Sequence, residues 1–391
     1  MKSHLENDKI ILELEGRIDS MNASAVEKEI FDIIGDYDGR TPEFNAAKLD
    51  YISSAGLRVL MKVCKKYKEK LKVSEASPEV YDIFETTGFN SFMDVEKRLR
   101  EISVEGCDVI GEGGNGIVYR LNPETIVKVY YGERNSIEKI KRSQEATRDA
   151  FLHGVPTTIA FDMVKVGDSY GVVYEMINAK SLVEEINEHP DKLDFYGNMI
   201  ADTLIKMHST EFKKGDLPDS KANCRNDIDA TVEAGYFTKE EADRVYKLVD
   251  DIPERCSFVH QDFHPGNMML QDGEIVLIDV DDSGIGHPIF DLSAMYLVYV
   301  VAAKSGWTKK HQGLGGKEFL RLWDIIVKKY FGTEDPDKLK EIDRILDGYT
   351  KIKYIRSLAT SPRVPRILRG PLVKSAKKKF FRIIDTLHPI P

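Results

Sequence analysis

The chain has 391 residues, 42% apolar and 31% charged, a globular composition too long for one ordinary core. Its formal charge of −9 argues against wholesale nucleic-acid binding. The longest apolar run, around Ala294 to Ala303, falls far short of the ~20 residues a membrane helix needs. The charge is uneven: from Lys351 to Pro391 six Lys and five Arg face the single acid Asp385, a local balance of +10 that leaves −19 for the rest. Such a tail could attract phosphates, anionic lipid or an acidic partner, but the preferred reading is a solvated helical face docked on an acidic body. Cys64, Cys107, Cys224 and Cys256 lack CxxC spacing, as reduced thiols do. With no apolar stretch in MKSHLENDKI, the expectation is a cytoplasmic protein without membrane insertion.

In chain order, residues 10–14 read as a strand, Gly16 to Asp19 as a turn, and Ala23 to Ile34 as a helix with Ala25, Val26, Ile30, Ile33 and Ile34 at helical spacing. Phe44 to Leu49 makes a second strand and leads into the loop Asp50–Gly56. A helix follows with Leu57, Leu60, Met61 and Cys64 on one face, then a short strand at Leu71–Val73. Another helix opens at Pro78 and ends near Gly88. Strands alternating with helices predict a small α/β layer domain over residues 1–98, with a short join, helical over Val95–Ile102, leading onward. In the loop, Ser53 or Ser54 can cap the helix; alternatively a serine there can carry a phosphate stabilised by the helix N-terminus.

Gly16-Arg17-Ile18-Asp19-Ser20, followed by Asp50-Tyr51-Ile52-Ser53-Ser54-Ala55-Gly56-Leu57-Arg58-Val59-Leu60, resembles the STAS domain of anti-sigma factor antagonists. The resemblance implies that Ser54 stands at the regulatory phosphoacceptor position and that a STAS-binding regulatory protein is a partner. Ser53 occupies the place where many phosphorylated members carry Asp.

Gly111-Glu112-Gly113-Gly114-Asn115-Gly116-Ile117-Val118 fits GxGxxGxV, with Gly111, Gly113, Gly114 and Gly116 allowing backbone amides to approach phosphates. A dinucleotide site would need a helix directly after the last glycine. Here residues 117–121 alternate like a strand, Asn122-Pro123-Glu124 turns, and Thr125–Val129 is a second strand carrying Lys128, which is the order seen in kinases. A lysine among Ile and Val needs a partner, which nucleotide phosphates supply, together with an orienting carboxylate from the next helix. Glu145 is that candidate and Glu138 its competitor. Glu175 to Ile177 reads as a hinge whose backbone could pair with adenine, or as a plain strand end.

Further on, Asp262 and Asn267 lie five positions apart in His260-Gln261-Asp262-Phe263-His264-Pro265-Gly266-Asn267, and Asp279 ends the apolar run Ile275–Ile278. A positioning base, an Asn and a second Asp are the parts phosphoryl transfer uses. The string is similar to the HGDxHxxN motif of aminoglycoside phosphotransferases and choline-kinase-like relatives, with Gln261 in place of the family Gly. That resemblance implies Asp262 as catalytic base, Asn267 and Asp279 as Mg²⁺ ligands, and Lys128 on the phosphates of ATP, GTP remaining open. Asp291 is read as a buried acid bracing the loop, and Asp281, Asp282 and Glu318 as either contacts for a cationic amine or sugar or a solvated acidic surface. Helical insertions at 212–250 and 319–372 are the candidate acceptor-recognising segments.

The expected fold class is α/β plus α+β: a STAS-like α/β domain over 1–98 and a bilobal protein-kinase-like domain over 105–391, N-lobe 105–177 and C-lobe 178–391. The expected activity is ATP- and Mg²⁺-dependent transfer of a γ-phosphate to a hydroxyl of a small molecule. The alternatives are a protein serine kinase acting on a STAS serine such as Ser54, and a non-catalytic nucleotide-binding signalling module.

Overall fold

A computed structural model describes every residue except 7, 38, 68–69, 133–134, 362–363 and 391. The backbone divides into two units, Met1–Ile102 and Ser103–Pro391.

In the first unit β1 (Lys2–Glu6) pairs antiparallel with β2 (Lys9–Ile18), and β3 (Pro42–Ile52), β4 (Leu71–Ala76) and β5 (Met93–Lys97) add in parallel, giving the order β1-β2-β3-β4-β5. Parallel neighbours need crossovers. The helices α1 (Ala23–Asp36), α2 (Ser54–Tyr67) and α3 (Pro78–Thr86) supply them. Fully buried Ile10, Leu12, Phe44 and Val73 lie at the sheet's core, joined by Ile30 and Ile34 of α1 and Val63 of α2. This is an α/β unit. β1 escaped the sequence reading because its residues are mostly exposed and show no alternation. The turn expected at Gly16–Asp19 is instead strand as far as Ile18, with Gly16 at φ +65° where the β2–β3 register shifts. The chain turns only at Asp19–Asn22. The join is not helical either: β5 occupies Met93–Lys97 and a two-residue strand, β6, covers Arg100–Glu101.

The second unit opens with β7 (Val109–Glu112), β8 (Gly116–Arg120), β9 (Thr125–Tyr130), β10 (Ala160–Val166) and β11 (Ser169–Glu175). They pair antiparallel in the spatial order β10-β11-β9-β8-β7. The helix α4 (Ile137–Leu152), capped by the Ser136 hydroxyl, packs on β10 and β11. Beyond β11 helices dominate: α5 (Leu182–Glu188), α6 (Leu193–Ser209), α7 (Ser220–Glu233), α8 (Lys239–Asp250), α9 (Ile289–Tyr296), α10 (Trp307–Gln312), α11 (Gly316–Phe331), α12 (Pro336–Thr360) and α13 (Arg366–Phe380). A sheet at one end and helices at the other make this unit α+β and bilobal.

Three short pairings hold the polar loops between these lobes. β12 (Lys180–Ser181), β14 (Met268–Gln271) and β15 (Glu274–Leu277) form one sheet, while β13 (Ser257–Val259) pairs with β16 (Gly284–Gly286). Asp272 and Gly273, both at positive φ, make the two-residue turn between β14 and β15 that such hairpins favour.

Part of the basic tail is used internally. Lys377 binds Glu241 and the Tyr236 carbonyl, Arg356 meets Asp227 at 3.1 Å, and Arg369 donates to the Ser361 and Val364 carbonyls. These contacts match the docked-face reading. Pro362 and Arg363, inside the expected insertion 319–372, lie outside the described residues.

Candidate active site

The polar string around Asp262 sits between β13 and β14, and the loop around Asp279 between β15 and β16. Both ends of this double loop are tied together. The Ile278 N–H donates to the Asn267 carbonyl at 3.0 Å, and Gln261 Nε2 donates to the Asp282 carbonyl at 3.0 Å. Asn267 Nδ2 donates to the Asp262 carbonyl (2.9 Å) and to its carboxylate Oδ2 (3.1 Å). Both bonds employ the amide nitrogen and leave the lone pairs of Asn267 Oδ1 unused by them.

Below the loop lies Asp291, fully buried. Its carboxylate accepts the backbone N–H groups of His260 (2.9 Å) and Gln261, and His208 Nε2 lies 3.0 Å away. Tyr330 in turn holds His208 Nδ1 at 2.8 Å. Burial opposes the Asp291 charge, but His208 and His260 outweigh it and lower its pKa. Asp291 therefore braces the loop, and His208 is a packing and hydrogen-bonding residue. His260 and His264 likewise accept backbone N–H groups, from Asp262 and Gly266.

The Asp262 carboxylate itself is half-exposed, 3.6 Å from His264 Nε2. Burial pushes its carboxyl up, yet His264, Lys353 and His260 overcome that and hold it well below the usual range. Lys353 reaches in from α12, donating to the Gln261 carbonyl at 3.0 Å.

Across from this loop, Lys128 projects from β9 with only 13% of its side chain exposed. Its Nζ lies 2.7 Å from Asp279 Oδ1 and 2.5 Å from Asp281 Oδ2. The expected orienting carboxylate, Glu145, is not among these partners, nor is Glu138. Helix spacing explains the difference: Ser143, Ala146, Thr147 and Ala150 form the buried face of α4, and Glu145 falls beside it, half-buried. Asp281, read from sequence as a contact for a cationic acceptor or as solvated surface, is neither; its side chain is 6% exposed and bound to Lys128. The signal for it was present, since Asp281 follows Asp279 at the two-residue spacing that lets both approach one lysine.

The glycines divide by role. A Cβ on Gly116 would lie 2.2 Å from the Val129 carbonyl oxygen, so that glycine permits β8 to pass β9. Gly113 and Gly114 face open space, and a Cβ on Gly111 would make only ordinary contact with Val118. At the end of β11, Glu175 Oε1 accepts the Ile159 N–H at 2.7 Å, so this side chain serves the sheet. The Met176 N–H donates to the Glu124 carbonyl, and among the described residues none accepts from the Ile177 N–H. No group of three or more His, Cys, Asp or Glu side chains converges as a metal cage among the described residues. One carboxylate and one amide are the sparse set Mg²⁺ takes when phosphate oxygens complete its shell.

In the first unit the two serines separate. Ser53 Oγ accepts from the N–H groups of Ala55 (3.2 Å) and Gly56 (3.4 Å), making it the cap, while Ser54 is the exposed first residue of α2.

The model of the Phosphotransferase enzyme family (APH) matches residues 110–342, more than half of the chain. The chain belongs to that family. The phosphotransferase also carries a STAS domain, matched over residues 2–102. Over 85 residues it is 38% identical to the anti-sigma factor antagonist BtrV of Bordetella bronchiseptica, spanning 21% of this chain and 72% of the relative. Among solved structures, aminoglycoside phosphotransferase APH(2'')-Ib is similar at TM-score 0.49 and 16% identity, over 71% of this chain and 95% of that one. A choline/ethanolamine kinase family protein from Mesorhizobium loti is similar at TM-score 0.45 and 16% identity, over 71% and 91%. No described helix of the phosphotransferase is long and apolar enough to cross a membrane.

Proposed function

We propose that the phosphotransferase moves the γ-phosphate of ATP to a hydroxyl of a small molecule, with Asp262 as the residue that receives the hydroxyl proton. The observation that carries this reading is the single polar centre formed by Asp262, Asn267, Asp279 and Lys128, stitched by the Asn267–Asp262 and Ile278–Asn267 bonds. The acceptor oxygen attacks the γ-phosphorus, the bond to the bridging oxygen breaks, ADP departs, and the hydroxyl proton passes to Asp262. A carboxyl held below its usual pKa is a weak base, so Asp262 first orients the hydroxyl and takes the proton late, as a loose transition state allows. Lys128 offsets phosphate charge, and the amides of the Gly111–Gly116 turn line the phosphate path. Bound Mg²⁺ supplies charge neutralisation at the phosphates, and Asn267 Oδ1 and Asp279 are the residues that would hold it. The Ile177 N–H and the Glu175 carbonyl offer the adenine edge a donor and an acceptor, the Glu175 N–H being bound to Ile159.

The acceptor enters beside α10 and α12 in this reading. A cleft of about 560 Å³ is lined by Trp307, Arg356, Ser357, Thr360 and Ser361. The two helices that flank it also reach the Asp262 loop: Lys353 of α12 donates to the Gln261 carbonyl, and Gln312 of α10 lies 3.4 Å from His264.

Calorimetric titration with ATP and GTP, with and without Mg²⁺, tests the nucleotide half. ATP should bind more tightly with Mg²⁺, and Lys128→Ala should weaken it about 10-fold or more. Asp279→Ala should abolish the Mg²⁺ effect while Asp262→Ala retains it. Absence of nucleotide binding, or indifference to Mg²⁺ in the wild type, would remove the reading.

One observation favours a second acceptor. The Ser54 side chain is exposed at a helix N-terminus whose cap Ser53 already supplies, so a phosphate on Ser54 would leave the cap intact. In this reading the STAS domain is regulatory and its partner a protein that senses that phosphate.

A further inference from the structure

Two carboxylates share Lys128, but their surroundings differ. Asp279 is 43% exposed, whereas the Asp281 side chain is 6% exposed. The buried one is held from several sides: Lys128 on Oδ2, Ser143 Oγ on Oδ1 at 2.5 Å, and Tyr130 OH on Oδ1 at 3.1 Å. Tyr130 OH is itself 3.3 Å from Tyr174 OH. A carboxylate at that depth is tolerated only when its lone pairs are met this completely. Burial works against the Lys128 charge, and Asp281 and Asp279 more than restore it.

On the α4 side, the residue presented to this cluster is Ser143, a donor. Thr147, one turn on, closes its hydroxyl back on the Ser143 carbonyl at 2.9 Å. α4 therefore brings a hydroxyl that binds Asp281, and Asp281 binds the lysine.

Resting on the phosphotransferase reading, we propose that Asp281, anchored by Ser143 and Tyr130, is the positioning residue that aims Lys128 at the nucleotide phosphates. It takes the task that a glutamate on α4 would otherwise perform. The division of labour follows from exposure. Asp279 can turn from Lys128 towards a cation, while Asp281 keeps the ammonium in place. The lysine is thereby tied to the loop that carries Asp279, and α4 reaches it through the Ser143 hydroxyl on Asp281.

The test uses the full chain, the fluorescent nucleotide mant-ATP for binding, and Mg-ATP hydrolysis with water as acceptor for turnover. Asp281→Asn should weaken mant-ATP binding and raise the KM for ATP about 10-fold or more, the scale of a lost charged hydrogen bond. Ser143→Ala, a gentler change, should move both in the same direction by less. In a Lys128→Met background Asp281→Asn should add almost nothing, because the two residues act as one unit. A purely structural Asp281 would instead show an undiminished loss in that background, and that result would overturn the proposal. So would wild-type binding in both Asp281→Asn and Ser143→Ala, or a loss found in Glu145→Gln instead. Wild-type protein that fails to bind mant-ATP rejects the phosphotransferase reading. Binding that depends on Lys128 but not on Asp281 rejects this inference alone.

Discussion

Gln261 directly precedes Asp262 in the loop between β13 and β14. It stands at φ +65°, a region that favours glycine, and its neighbour in function, Asp279, stands at φ +58°. Strain of this kind persists where surrounding bonds over-determine it. Here the Gln261 N–H is bound by Asp291, its carbonyl by Lys353, and its Nε2 by Ser220 and the Asp282 carbonyl. The side chain thus compensates for the glycine it replaces. Gln261→Ala keeps the unfavourable φ and loses both side-chain bonds, whereas Gln261→Gly loses the bonds and relieves the φ. The glycine variant should therefore be the more stable of the two by about 1 kcal/mol, measured by denaturant melts. The reverse order would contradict the left-handed geometry. The sequence showed Gln261 as a departure from the family pattern, but the bonds that absorb it come from Ser220, Asp291 and Lys353, too distant in the chain to be read.

At the scale of elements, the glycine turn between β7 and β8 separates folding from chemistry. Gly116→Ala pushes a Cβ against the Val129 carbonyl, and a backbone atom cannot simply rotate away. It should destabilise the second unit by about 1–3 kcal/mol. Gly113→Ala meets nothing within 4 Å, so its melting should match the wild type while nucleotide affinity falls. Equal melting of the two variants would contradict the strand packing described. The elements themselves were legible where periodicity or turn residues marked them: the β8–β9 hairpin, α2 with its apolar face, and the Asp262–Asn267 loop before an apolar strand. Where exposure erased the pattern they were not. β1 has almost no buried residue, and the join's β5 carries only Met93 and Val95 inward. The partners of Lys128 were not legible for a related reason. Glu138 and Glu145 were both candidates on α4, and only the structure shows that α4 turns Ser143 to Asp281, one of the carboxylates that bind Lys128.

For the whole molecule, a phosphotransferase and a STAS domain share one chain, so the transferred phosphate has two candidate destinations. A flexible tether can raise the effective concentration of Ser54 to the mM range, but only if its length spans the two sites. Transfer between two copies of the chain escapes that limit. The small-molecule acceptor remains the leading reading because α10 and α12, which line a cleft with Trp307 and Arg356, also contact the Asp262 loop through Gln312 and Lys353.

The measurement that bears most directly on the central claim is incubation of the full chain with γ-labelled Mg-ATP and a panel of small hydroxylated compounds. Label is followed both in the compounds and, by mass spectrometry, on Ser54. Label should appear on a small alcohol, and its transfer should slow by about 10²–10⁴ in Asp262→Ala with nucleotide binding retained. Label confined to Ser54 and lost in Asp262→Ala would transfer the activity to the protein acceptor. Transfer to any acceptor at the wild-type rate in Asp262→Ala would rule out Asp262 as the group that receives the hydroxyl proton.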